Sequence, residues 1–328
     1  MLTLGLSQAY GIYLEKYLSD SIFPEATPDD YAIIGGLNFS MAMVVAPAVN
    51  VASRKYSTRI PMLFGVVLLA VGYVSASFTK RIWHLYLSQG LLVGFGVGFT
   101  YIPTISIIPQ WFERKRSLAN GICAAGSGIG GLIFSFMSDA VIDNISLRWS
   151  LRLTAIVSCS ILLVAVSLIR DRNDIILPTQ RGFDLQLLGR WQVILLLMWS
   201  FLIIWGYMVL LFSLPDYARS VGLSDHEAAT LNAMLNLGTA VGRPLIGIAS
   251  DRLGRIEVAG VLTLLSGLSC VMIWLPVTSY AALIFFSVLI GGMFGVFWVV
   301  SAQHQSIAFD KKYNSEICRP SVRSLLRS

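Results

Sequence analysis

An arginine and an aspartate within the glycine-rich stretch 242–255 are the residues of this sequence best suited to hold a charged group. Arg243 precedes Pro244 in an apolar run, about 12 Å along a helix from Asp251. An arginine at that depth in a membrane is costly and usually faces a cavity or a partner. We therefore expect Arg243 to contact either an anionic ligand or a helix end or carbonyl group. Thr239 lies one turn earlier on the same face.

Asp251 follows the apolar run, where the helix dipole disfavours a lone carboxylate. We expect its partner to be a cation or the N-terminus of another helix. Arg252 and Arg255 could supply the cation, and Gly254 permits a left-handed turn. Simple charge asymmetry explains the arginines, but not the ordered pattern that also includes Gly247. The pattern therefore indicates a structured loop.

The remaining patterns do not predict catalysis. The run Gly126-x-Gly128-x-x-Gly131 matches a dinucleotide-binding fingerprint as text, but that fingerprint needs a preceding strand. Within an apolar helical run, small residues are better explained by close helix packing. The histidines and cysteines lack the spacing of a metal site or disulfide framework; they are His84, His226, His304, Cys123, Cys159, Cys270 and Cys318. We expect no enzyme activity, cofactor or metal.

The composition determines the class of protein. Hydrophobic residues make up 55% of the 328-residue chain and charged residues 13%, and the apolar residues occur in long blocks. Such blocks predict membrane-spanning helices and exclude a soluble enzyme or a nucleic-acid-binding module. The expected fold is all-α, a multi-pass transmembrane bundle of about ten helices. The predicted spans are 1–18, 31–53, 60–78, 82–108, 116–140, 149–169, 191–213, 227–249, 256–277 and 279–301.

The net charge of +6 is largely a topology signal. The loops after even-numbered spans contain most of the basic residues: Arg54, Lys55, Arg59, Arg114, Lys115, Arg116, Arg170, Arg172, Arg181, Arg190, Arg252 and Arg255. The opposite loops hold Lys16, Lys80, Arg81, Arg148, Arg152 and Arg219, with the acidic stretch 20–30. Basic residues mark cytoplasmic loops, so the first group of loops is predicted to face the cytoplasm.

The ordered loop pattern resembles the signature of the major facilitator superfamily, which acts as a latch between helices at the inner face. Its residues here are Gly247, Asp251, Arg252, Gly254 and Arg255. The corresponding loop after the second span is degenerate, because Arg54 and Ser57 stand where the signature has Asp and Gly. The resemblance implies two helical bundles, with a solute site between them and access that alternates.

A second stretch, 110–131, resembles the monocarboxylate-porter family, in its fungal branch. It combines an aromatic pair, a basic cluster, Leu-Ala-Asn-Gly and Ala-Gly-Ser; the matching positions include Arg114, Arg116, Gly121, Gly126 and Gly131. The resemblance assigns substrate binding to Arg243, with Thr239 at the position where proton-coupled members have Asp. The helix-one lysine of those members is also missing, since Ile12 stands there. Proton–lactate symport is therefore not implied, and proton coupling stays open.

The resulting prediction has four segments: a six-helix bundle over 1–170, a cytoplasmic linker over 171–190, an incomplete four-helix bundle over 191–301, and a polar basic tail over 302–328. Compared with the family's twelve helices, we expect the chain to be truncated at both ends. The predicted function is secondary active transport of a small organic solute. The alternatives are a truncated, non-transporting membrane protein and a carrier for a non-carboxylate solute such as riboflavin. We expect the plasma membrane, with a vacuolar or other organelle membrane as the alternative.

Overall fold

The computed structural model describes residues 2–8, 10–19, 22–112, 115–170, 189, 191–277 and 279–299, and it is helical through almost all of them. The first nine helices are α1 Leu2–Gln8, α2 Tyr10–Ser19, α3 Pro28–Val44, α4 Ala46–Lys55, α5 Arg59–Ala76, α6 Ile82–Leu85, α7 Val93–Trp111, α8 Arg116–Asn144 and α9 Leu147–Leu168. The others are α10 Trp191–Ser220, α11 Asp225–Leu253, α12 Arg255–Ser269 and α13 Tyr280–Phe294. Two π-helical segments, Tyr86–Leu92 and Cys270–Trp274, continue α6 into α7 and extend α12. The all-α prediction is confirmed.

Eight helical segments of the described chain are long and apolar enough to cross a membrane: Pro28–Lys55, Arg59–Ala76, Ile82–Ile108, Arg116–Asn144, Leu147–Leu168, Trp191–Leu211, Arg255–Trp274 and Tyr280–Val299. The two remaining predicted spans are also helical. The span 1–18 corresponds to α1 and α2, and the span 227–249 lies within α11. α11 is less apolar because Asn232, Asn236 and Arg243 share one of its faces.

The second predicted span, 31–53, is not one straight helix. It begins earlier, at Pro28, because Thr27 caps the helix: its backbone N–H donates to a carboxylate oxygen of Asp30 at 2.8 Å. It is also divided at Val45 into α3 and α4. Pro47, in the first turn of α4, has no N–H for the helical ladder, and its ring crowds the preceding turn.

The buried apolar side chains form three clusters. One contains only residues between 4 and 162 in its buried core, and the other two only residues between 203 and 299. We call the helices before residue 170 the first helix group and those after residue 190 the second. Of the predicted linker, only residue 189 is described, and the predicted tail lies outside the described residues. The four domain boundaries therefore stay a prediction.

The two groups meet where α8 packs against α11, and this is the most extensive helix pair of the described structure. Glycines allow the close approach. A methyl group at Gly128 would lie 2.7 Å from the backbone nitrogen of Ala240, and one at Gly247 would lie 2.6 Å from the carbonyl oxygen of Ser117. The opposite side of α11 packs equally closely on α13 through Gly238, Gly242 and Gly291. α11 is thus held between α8 and α13.

Candidate functional site

Arg243 lies at the contact between the two helix groups and is only 2% exposed. Its Nη1 donates to the carbonyl oxygen of Ala124 on α8 at 2.7 Å, and also to the hydroxyl oxygen of Ser127. The stem of the side chain packs on Gly295, after α13, where a methyl group would lie 2.6 Å from its Cγ. Nε is buried and has no hydrogen-bond partner among the described residues. Arg243 therefore joins the groups, and its Nε donor remains unused.

Two tyrosines, one from each group, lie near the guanidinium. Tyr101 on α7 and Tyr207 on α10 both lie near enough to interact with it electrostatically. Tyr101 packs edge-on against Trp298 at 5.8 Å between ring centroids, and Tyr207 packs against Phe294 at 5.7 Å. A cation near aromatic rings is a suitable environment for an organic anion, because rings can pack on an apolar body while a guanidinium binds its charge.

Thr239 lies one turn before Arg243, but its hydroxyl points to α13. The residue is 1% exposed, and Oγ1 donates to the carbonyl oxygen of Gly291 at 3.2 Å. Sequence reasoning did not single out Asn236, which is also buried. Its amide nitrogen donates to the carbonyl oxygen of Asn232 at 3.2 Å, and its Oδ1 has no partner among the described residues. Asn236 lies seven residues before Arg243 on the same face of α11, and this spacing could have identified it as a candidate site residue.

Asp251 caps the N-terminus of α8 from the other group. The backbone N–H groups of Ser117 and Leu118 donate to its two carboxylate oxygens at 3.1 and 2.9 Å. Of the two partners considered for Asp251, the structure thus has the helix N-terminus, where the dipole favours a negative charge. Among the described residues, the hydrogen-bond partners of Asp251 are these backbone groups and not Arg252 or Arg255.

The loop after Asp251 turns at Gly254, whose φ of +103° lies in the region that favours glycine. A side chain there would also meet the carboxylate of Glu257, in the first turn of α12. The positive φ requires a glycine here, but the ψ of 146° places Gly254 in the extended glycine region rather than in the left-handed turn that the sequence predicted. This conformation allows α12 to start directly after α11 ends at Leu253.

A third polar contact between the groups was not predicted. The amide nitrogen of Asn120 donates to the carbonyl oxygens of Trp298 and Val299 at 2.9 and 3.0 Å. Asn120 belongs to the Leu-Ala-Asn-Gly stretch, but its residue type alone does not reveal its partners. The contacts of Asp251, Asn120 and Arg243 thus join the groups at three places along roughly 15 Å of α8, between Ser117 and Ser127.

The other motif residues serve packing or capping where they are described. Gly121 fits against the backbone of Arg243, and Gly131 against that of Gly5 in α1. Gly126 is half-buried in the middle of α8, so the glycine run lies within a helix and lines packing surfaces, as expected. Nε of Arg116 donates to the carbonyl oxygen of Phe112 at 2.8 Å. Arg114 lies outside the described residues.

Titratable side chains do not gather into a further centre in the described ranges. No group of three or more His, Cys, Asp or Glu residues there could hold a metal ion. The polar atoms that do converge are the donors and acceptors of the contact between α8 and α11. The arrangement joins the two helix groups and places one buried cation between them.

Comparison with known proteins identifies the family. The sequence model of the Major Facilitator Superfamily matches residues 1–204 and 196–304. The chain therefore belongs to the major facilitator superfamily. It is an integral membrane protein, and its fold and relatives are those of transporters rather than enzymes.

The relatives are fungal transporters. The chain is 36% identical over 307 residues to "Uncharacterized transporter ESBP6" of Saccharomyces cerevisiae, covering 90% of this chain and 46% of that protein. It is 33% identical over 301 residues to "Probable transporter MCH2" of the same organism, covering 90% of this chain and 64% of the relative. The chain thus spans about half to two thirds of the length of these relatives.

A solved structure supports the fold. The proton:xylose symporter XylE, bound to 6-bromo-6-deoxy-D-glucose, superposes with a TM-score of 0.69 over 92% of this chain and 79% of its own. Sequence identity is only 13%, so the likeness concerns the fold alone. The likeness confirms the major-facilitator type of bundle that the sequence predicted.

Proposed function

We propose that this protein is a secondary active transporter that moves a small organic anion across a membrane by alternating access. The single observation that carries the proposal is the buried guanidinium of Arg243, which reaches from α11 to α8 between the two helix groups. A cation without a carboxylate partner in such a place is costly, so it is expected to serve a negatively charged ligand.

The solute class follows from the surroundings of Arg243. Its fork of donors suits a carboxylate, and the rings of Tyr101, Tyr207 and Trp298 suit an apolar or planar body. A monocarboxylate is therefore the favoured solute, in keeping with the monocarboxylate-porter resemblance. A neutral solute such as riboflavin would leave the guanidinium without its expected partner.

Inner closure is proposed to depend on Asp251. Its carboxylate holds the first turn of α8 only while the two helix groups are together at that end. The latch set, Gly247, Asp251, Arg252, Gly254 and Arg255, would then open and close the inner side, with Gly254 setting the turn and the arginines marking the cytoplasmic face. We place the protein in the plasma membrane.

Proton coupling, if present, is proposed to involve a group other than residue 239, since a threonine there cannot carry a titrating carboxylate. Thr239→Asp would install the acidic group of the proton-coupled family members one turn from Arg243. Uptake by this variant is expected to depend on pH between 5 and 8 more steeply than uptake by the unaltered chain. An unchanged pH profile would count against the alignment of α11 with the family.

The test of the proposal is uptake into reconstituted vesicles. Labelled acetate, lactate and pyruvate are compared with riboflavin, at equal protein content. We expect uptake of at least one carboxylate, and a loss of about tenfold or more in Arg243→Lys and Arg243→Ala, because lysine lacks the guanidinium fork. Arg152→Lys is the control, since Arg152 donates to Ser77 within the first helix group at 3.1 Å. Equal uptake by all variants would remove Arg243 from solute binding.

A further inference from the structure

The contact between Arg243 and α8 is a closed ring of three hydrogen-bonding groups. Nη1 of Arg243 donates to the Ser127 hydroxyl and to the Ala124 carbonyl, and the same hydroxyl donates to that carbonyl at 2.9 Å. Ser127 is completely buried, so water does not replace it on the guanidinium. The two oxygen atoms thus occupy Nη1, so an anionic ligand that binds this nitrogen must displace them.

We infer that Ser127 is a positioning residue that competes with the transported anion for Arg243. In the closed arrangement, the hydroxyl of Ser127 and the carbonyl of Ala124 together stand in for the anionic group of a solute. When an anion takes their place on Nη1, the first helix group loses its bond to the second at this level. This inference rests on the proposed function, because competition requires that Arg243 bind the solute.

The geometry supports exchange rather than a permanent bond. Arg243 is anchored in its own group, through the stem that packs on Gly295, while Ser127 and Ala124 belong to the other group. The guanidinium bonds to α8 are therefore lost when α8 and α11 separate, and Nε, already without a partner, would then be exposed as well. An arginine whose Nη1 and Nε are both available is expected to bind a carboxylate strongly.

The test measures the chemical reactivity of Arg243 in the purified full chain. Phenylglyoxal modifies accessible guanidinium groups, and mass spectrometry of the Arg243 peptide gives the rate, with exposed Arg252 as an internal reference. Ser127→Ala removes the competing hydroxyl and is expected to raise the rate at Arg243 at least about threefold. Ser127→Cys keeps a weaker acceptor, so its modification rate at Arg243 should lie between those of the unaltered chain and Ser127→Ala.

Ser158→Ala is the matched control. Ser158 is also completely buried and donates to the carbonyl three residues earlier, that of Ala155, at 3.2 Å, but it lies in α9. This variant loses the same kind of hydroxyl without touching Arg243, so its Arg243 rate should equal that of the unaltered chain. Equal rates in Ser127→Ala and Ser158→Ala would overturn the inference.

Acetate, with neutral acetamide as its control, tests the competition itself. Acetate is expected to slow modification of Arg243, and its half-protecting concentration should fall at least about threefold in Ser127→Ala, because a competing acceptor has gone. An unchanged half-protecting concentration would show that Ser127 and the anion do not compete. If acetate protects Arg243 neither in the unaltered chain nor in any variant, anion binding at Arg243 is refuted, and with it the proposed function.

Discussion

At the scale of single residues, the most informative side chain is Asp251, because one carboxylate serves a helix of the opposite group. Both of its oxygens accept from the first turn of α8, at Ser117 and Leu118. A helix cap of this kind is worth roughly 1 kcal/mol, and the favourable dipole adds a few tenths or more. Loss of Asp251 should therefore destabilise the first turn of α8, more than 130 residues away in sequence.

Hydrogen exchange can measure that cap directly. Asp251→Ala removes both acceptor oxygens, so exchange at the amides of Ser117 and Leu118 should become roughly fivefold faster. Asp251→Asn keeps one acceptor and loses the charge, so its effect should be smaller. Asp30→Ala is the control: Asp30 caps α3 through Thr27 and should leave the two amides of α8 unchanged. If the exchange rates of both amides are also unchanged in Asp251→Ala, Asp251 does not cap α8 in the purified protein.

At the scale of helices, the central element is the close pair of α8 and α11. A methyl group at Gly128 would stand 2.7 Å from backbone atoms of Ala240 and Asn236, well inside contact distance. Gly128→Ala should therefore force the helices apart and destabilise the protein by roughly 1–3 kcal/mol.

Gly36→Ala is the matched control for Gly128→Ala, because nothing lies within 4 Å of the methyl group it would add to α3. In a helix interior that change should be neutral or stabilising by up to about 1 kcal/mol. The two variants should thus shift the thermal unfolding midpoint in detergent in opposite directions, or at least by clearly different amounts. Equal shifts would mean that the close approach of α8 and α11 is not needed for stability.

The sequence predicts helices much better than it predicts their partners. Long apolar runs locate the eight helical segments that could cross a membrane, because helices satisfy their backbone groups there, and the other two predicted spans are helical as well. The break at Val45 and the π-helical segment Tyr86–Leu92 were missed, since both depend on local backbone crowding that hydropathy does not register. Arg243 and Asp251 stood out because charge is rare in such runs. Their hydrogen-bond partners on α8 could not be predicted, because backbone groups and small residues have no distinctive sequence signal.

At the scale of the whole molecule, charge asymmetry predicts how the protein lies in the membrane. Single cysteines at Asp29 and at Lys55, in a background without Cys123, Cys159, Cys270 and Cys318, would report the two sides. On intact cells, an impermeant maleimide should label the cysteine at Asp29 and leave the one at Lys55 unreacted until the membrane is permeabilised. The opposite pattern would reverse the predicted orientation, and the end held by Asp251 would then face outward.

Alternating access requires the contact between α8 and α11 to open and close at the end held by Asp251. Spin labels at Lys115 and Leu253, both exposed and close to the ends of those helices, measure that end directly. The unaltered chain should show a short and a long distance, with the long one more populated in Asp251→Ala and unchanged in Asp30→Ala. One single distance, the same in all three proteins, would contradict alternating access at this contact.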